Sequence, residues 1–205
     1  MNAPTRRRLH PEARKLEILE AAERLLQVRG ADVRVEDIAS EAGVAKGTVF
    51  LYFPTFDDLL LALRDRFIGA FDAANPEPIE RAGPIDWLEL IPARASAFIA
   101  FAAARYRLGS VLFHPDFMAR RPVMGDGVHR LEAVIRAGQE AEAFAPVDPE
   151  LTAGLLFAAI HHALDSVAAG GERNAMVAAL RHLIRRTLEP NQATGLSGAQ
   201  GRREA

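Results

Sequence analysis

The chain has 205 residues, a mass of 22.3 kDa, a formal net charge of −2 and no cysteine. With 49% hydrophobic and 25% charged residues it can bury a real core, as one medium domain or as a small module joined to a larger one. Disulfide frameworks, thiolate zinc sites and cysteine nucleophiles are excluded, and a charge this close to neutral leaves a nucleic-acid partner only a local basic patch to engage.

The pattern is all-helical: apolar residues recur at spacings of three and four, and no stretch alternates as a half-buried strand would. A first helix is predicted over Pro11–Arg29, with proline in its first turn, Gly30 as its stop, and Leu16, Leu19, Ala22, Leu25 and Leu26 as its buried stripe. Two very short helices follow, Val35–Ala42 and Lys46–Phe53, separated by Gly43. Thr55 is the expected N-cap of a longer helix to Ala73, with Asp57 and Asp58 at its positive end. The proline-rich segment Asn75–Pro84 reads as a loop.

A single helix is expected from Ile85 to Leu108, apolar on every face in its middle. His114–Gly127, holding Pro115, Pro122, Gly125 and Gly127, reads as irregular, and Val128–Glu142 as amphipathic helix. Asp148-Pro149 caps a helix to Ala169, and Gly170-Gly171 joins it to a last helix over Glu172–Leu188, close enough in sequence to force an antiparallel pair. Leu155, Ile160, Leu164 and Val167 on one, and Met176, Leu180, Leu183 and Leu188 on the other, form apolar stripes that bury against their own domain or a second subunit. The longest uncharged apolar stretches, Ala95–Ala104 and Leu151–Leu164, fall short of the ~18–20 residues a bilayer requires. No membrane segment or secretory signal is therefore expected, and the expected location is cytoplasmic.

The informative stretch runs from Val35 to Phe53. Two short helices that cross steeply need a small residue at the contact, supplied by Ala39, and a turn residue tolerant of positive φ, supplied by Gly43. Ile38, Val44 and Val49 can fill the small core beneath. This is the pattern of a helix-turn-helix, whose second helix enters the major groove. With Ile18, Ala21-Ala22, Leu25-Leu26 and Gly30 before it, Lys46-Gly47-Thr48-Val49 and Tyr52-Phe53 within it, and Leu59-Leu60 after it, the stretch from about Arg14 to Leu60 resembles the DNA-binding domain of TetR-family transcriptional regulators.

That resemblance implies a three-helix DNA-binding domain over 11–54 and a helical ligand-binding and dimerisation domain over 55–189, while charge and composition read residues 1–10 as a flexible basic arm and 190–205 as a disordered tail. It implies a ligand-responsive repressor, homodimeric through its last two helices, bound to a palindromic operator and released by a small-molecule effector. No cofactor, metal or catalysis is expected. The chain departs from the family pattern at Arg34 and Ala45, where a capping Ser or Thr is usual, at Phe50 in place of Tyr, and at Phe56 in place of Lys. Those departures motivate an alternative: a protein of the same fold with degenerate DNA reading that acts through a protein or small-molecule partner.

The expected DNA-contacting residues are Lys46, Gly47, Thr48, Leu51 and Tyr52, with Arg6, Arg7 and Arg8 of the arm in a narrow minor groove. Each has a plainer reading: Lys46 and the arm as solvated charge, Thr48 as ordinary surface, Leu51 as packing. Trp87, Phe98, Phe101, Tyr106, Phe113 and Phe117 are the candidate walls of an effector pocket, with His161 and His162 as its polar lining, or else plain core. His161, His162 and Asp165 also have a spacing that suits a metal, but nothing in the sequence positions a further ligand, so hydrogen-bonded core or interface histidines are the preferred reading.

Overall fold

The computed structural model describes residues 10–76, 84–120 and 124–190. These residues form ten α-helices and no strand: α1 (Pro11–Arg29), α2 (Val35–Glu41), α3 (Lys46–Tyr52), α4 (Phe56–Ala74), α5 (Trp87–Ala103), α6 (Tyr106–Leu112), α7 (Pro115–Arg120), α8 (Met124–Glu140), α9 (Pro149–Ala168) and α10 (Arg173–Leu188). The arm holding Arg6, Arg7 and Arg8, most of the predicted Asn75–Pro84 loop, and the predicted tail after Pro190 lie outside the described residues. The chain divides into two compact units, one built from residues up to Asn75 with 101–120, the other from Pro76, 84–100 and 124–190.

In the first unit, α1 begins on Pro11 and ends where Gly30 turns to φ +59°, its N–H bonding the carbonyl of Leu26. The buried side of α1 is Ile18, Leu19, Ala21, Ala22 and Leu26, whereas the predicted Leu16 is exposed and Leu25 half-buried. The stripe is rotated because α2, α4 and α6 all pack on this one helix. Thr55 caps α4 as expected: its hydroxyl accepts from the Asp58 N–H at 3.1 Å, and the Asp58 carboxylate accepts from the Thr55 N–H at 3.0 Å. Asp57, beside it, accepts two bonds from the Arg120 guanidinium of α7 at 3.0 and 3.2 Å.

The single helix predicted over Ile85–Leu108 is two helices. The chain leaves α5 after Ala103, and Arg105, at φ −123° and ψ 32°, starts α6 with its N–H on the Ala102 carbonyl at 3.0 Å. The break lets Leu108 and Leu112 enter the core against α1, and Arg107 bonds the carbonyl of Val28. Apolar periodicity continues through the break, and no Pro or Gly marks it. Phe67 of α4 meets Phe101 and Phe113 edge-on, at ring centroid distances of 5.1 and 5.5 Å, and Phe71 meets Phe101 at 5.6 Å.

The predicted irregular segment His114–Gly127 instead holds α7, opened by Pro115, and the start of α8; residues 121–123 lie outside the described residues. In the second unit α9 packs on both α8 and α10. Gly127 lies inside α8, where a Cβ would come within 2.6 Å of the Phe157 ring of α9. The Asp148 carboxylate caps α9 at the Leu151 N–H, 2.9 Å away. Gly170 makes the turn into α10 at φ +96°. Trp87 meets Phe144 edge-on at 5.9 Å, and Glu89 pairs with Arg181 and with Arg185, the latter at 2.6 Å.

Of the two predicted apolar stripes, Leu164, Leu180 and Leu188 are buried, Ile160, Val167 and Met176 half-buried, and Leu155 and Leu183 exposed. Taken whole, with its charged residues included, α9 is 20 residues long and apolar enough to cross a membrane by length and composition alone. Within its unit, however, Thr152, Ala153, Leu156, Ala163 and Leu164 are buried.

Candidate nucleic-acid interface

The site is built on α2, the turn after it, and α3. Ala39 is buried on α2, which packs on both α1 and α3. Gly43, at φ +63°, reverses the chain, and the turn is tied by the Gly43 N–H to the Ser40 carbonyl at 3.0 Å and the Val44 N–H to the Ala39 carbonyl at 2.8 Å. Ile38 and Val49 fill the core beneath the crossing, while Val44 is only half-buried. The two helices remain separate and pack on α1 through α2.

Neither motif helix has a capping side-chain oxygen, as Arg34 and Ala45 led us to expect. At α2 the loss is offset from inside the helix. The Arg34 N–H donates to the Asp37 carboxylate at 2.9 Å, and Arg29 donates to the same carboxylate at 3.1 Å. The Arg34 amide first, and Arg29 second, hold the Asp37 carboxyl below its ordinary range. At α3 the Thr48 N–H reaches the Ala45 carbonyl at 2.8 Å, and no side chain takes the place of the cap.

Five predicted DNA-contacting residues lie on α3. Lys46 and Gly47 are exposed, Thr48 and Tyr52 half-buried, and Leu51 is 77% exposed. A Cβ placed at Gly47 would meet nothing within 4 Å. The Lys46 ammonium sits 2.6 Å from the Glu36 carboxylate of α2 and 5.7 Å from the centre of the Phe50 ring. That hydrogen bond is the main reason the Glu36 carboxyl lies below its ordinary range. Glu36 and Phe50 are the neighbours of Lys46 that the sequence reading did not place there. Phe50 entered it only as a departure from a family pattern, and Glu36 is tied to Lys46 by the crossing of two helices rather than by any spacing along one. Phe56, the other departure, opens α4 half-buried.

The predicted effector-pocket residues fall into separate groups. Phe101 and Phe113 join Phe67 and Phe71 in the first unit, where Phe117 is buried and Tyr106 exposed. Trp87 packs on Phe144 in the second unit. There His161 stacks on Phe157, with ring centroids 4.1 Å apart, and Phe98 lies 6.0 Å away. His161 Nδ1 is 3.0 Å from the Phe157 carbonyl oxygen, and burial pushes its pKa below the ordinary value. His162 and Asp165 are exposed, and among the described residues no three His, Asp or Glu side chains come together as a metal site would require.

Residues 18–63, which contain this site, match the family model described as bacterial regulatory proteins, tetR family. The HTH-type transcriptional regulator EthR of Mycobacterium tuberculosis is 33% identical over 131 residues, 63% of this chain and 49% of EthR. The chain thus spans about half the length of the curated relatives it matches. Among solved structures, a TetR-family transcriptional regulator from Pectobacterium atrosepticum aligns at a TM-score of 0.68 and 23% identity, covering 88% of this chain and 97% of that one. RolR in complex with resorcinol aligns at a TM-score of 0.68 and 18% identity, covering 88% of this chain and 89% of that one. The turn at Gly43 and the buried Ala39 lie within the matched residues, so residues 18–63 are similar to the DNA-binding domain of the tetR family of bacterial regulatory proteins.

Proposed function

We propose that the chain is a cytoplasmic, ligand-responsive transcriptional repressor that binds a palindromic operator as a homodimer and is released by a small-molecule effector. One observation carries the reading: the Gly43 turn sets α3 across α2 with Lys46, Gly47 and Leu51 facing solvent. A helix held on its inner side and free on its outer side is what entry into a major groove demands. Lys46, Gly47, Thr48, Leu51 and Tyr52 form the base- and phosphate-facing set, and Arg6, Arg7 and Arg8 extend it as a minor-groove arm.

Dimerisation through α9 and α10 is supported by the apolar side chains these helices leave in water, Leu151, Leu155 and Leu183. Resorcinol in RolR, a protein of this fold, supports uptake of a small molecule by the helical body. The residues 55–189 would form that body, with Phe98 and His161 of the second unit among its candidate walls. The alternative, this fold without DNA reading, is favoured by one observation: the lysine of α3 is already paired with Glu36.

Selection of duplexes by the full chain from a random double-stranded library tests the proposal. An enriched, two-fold symmetric sequence is expected, bound less tightly as salt rises because phosphate contacts release counterions. Enrichment of no sequence over random duplex would reject DNA reading and favour the alternative.

A further inference from the structure

The outer face of α3 carries little charge that is free to act. Lys46, its one cation, lies 2.6 Å from a carboxylate, and its remaining side chains are Gly47, Thr48, Val49, Phe50, Leu51 and Tyr52. Val49 is spent on the core, at 2% exposure. Leu51 is the opposite case: it leaves 77% of its surface in water, and the small core beneath the crossing does not use it. Phe50, next to it, is 36% exposed. Gly47 stands one helical turn before Leu51 on the same side, with open space where a side chain would be. A duplex approaching this face meets a bare backbone, then an uncovered leucine.

In the major groove the apolar group on a base edge is the C5-methyl of thymine, and an aliphatic side chain recognises it by excluding water. We propose that Leu51 reads a thymine C5-methyl, so that each operator half-site carries a thymine opposite it and α3 discriminates at that base pair by apolar contact rather than by a cationic side chain. The proposal rests on the DNA-reading function above and names the chemistry by which that function selects its sequence.

The test uses the full chain and the duplex it enriches from a random library. Each thymine of one half-site is replaced in turn by deoxyuridine, which removes the methyl and leaves the hydrogen-bonding edge intact. Burial of one such group predicts about fourfold weaker binding at a single position. Leu51→Ala should bind the thymine duplex more weakly by a similar factor and lose the thymine–deoxyuridine difference at that position, while Leu51→Met should restore it. Equal binding of every deoxyuridine duplex, or a difference that survives Leu51→Ala unchanged, overturns the inference and leaves the DNA-reading function standing. A library from which nothing is enriched overturns both.

Discussion

Gly43 holds a backbone conformation, φ +63°, that crowds the Cβ of any other residue against the following carbonyl at a cost of roughly 1–2 kcal/mol. Gly43→Ala should lower the free energy of unfolding by about that amount in urea titrations, and weaken binding to the selected duplex further if the turn shifts α3. Positions 39 and 43 were legible in the sequence because their constraint is local: a close crossing and a tight reversal allow few residue types. The Glu36–Lys46 pair was not legible, since it depends on which way two helices face after packing. His161 gives a different test. Its folded-state pKa lies below the ordinary 6.5, chiefly through burial, with the Phe157 carbonyl and Asp165 opposing. The unfolded chain therefore takes up the proton more readily. The neutral ring's contribution is complete above about pH 6.5 and is lost as the pH falls through the folded-state value. His161→Phe, which keeps the stack on Phe157, should show a smaller drop in melting temperature than the parent chain between about pH 7.5 and 5.5.

Among the helices, those whose ends have their own chemical signals were the most legible. Pro11 and Gly30 bound α1 at the predicted residues, Thr55 and Asp58 box the start of α4, and Asp148 with Pro149 begins α9. The start of α6 has no such signal, and its cause is tertiary: Leu108 and Leu112 find burial against α1 only if the chain turns at Arg105. Glycine misled in the opposite direction. Gly127 reads as part of an irregular segment, yet it lies with Gly138 within α8, where side chains of other segments press on the backbone. A Cβ at Gly138 would lie 2.2 Å from the Phe144 ring, itself buried against Trp87. Gly138→Ala should cost about 1–3 kcal/mol in denaturant titrations, an overpacking penalty that outweighs alanine's better helix propensity of about 1 kcal/mol. The intended pocket residues were the least legible part, because periodicity marks a side chain as inward-facing without saying which neighbours it will meet.

For the whole molecule, the outward residues of α9 are where the proposed dimer is tested. Leu151 and Leu155 lie 68% and 74% exposed one turn apart, on a helix apolar enough to seek cover. Leu155→Glu places a charge on that face without touching the buried side, so the chain should stay folded but sediment as a monomer where the parent sediments as a dimer. Its affinity for the two-fold symmetric duplex should fall at least tenfold, as one head loses the help of the other. A dimer that survives this change would place the interface elsewhere.

The unit that carries α2 and α3 is not contiguous in the chain. Its core is closed by Leu108 and Leu112, which follow an excursion of the polypeptide into the second unit. During synthesis the N-terminal helices therefore leave the ribosome with one side of α1 still bare, and they cannot complete their fold until residue 112 has emerged. A fragment ending near Asn75 should accordingly be a poor substitute for the full chain, prone to collect on chaperones rather than to work as a detachable head.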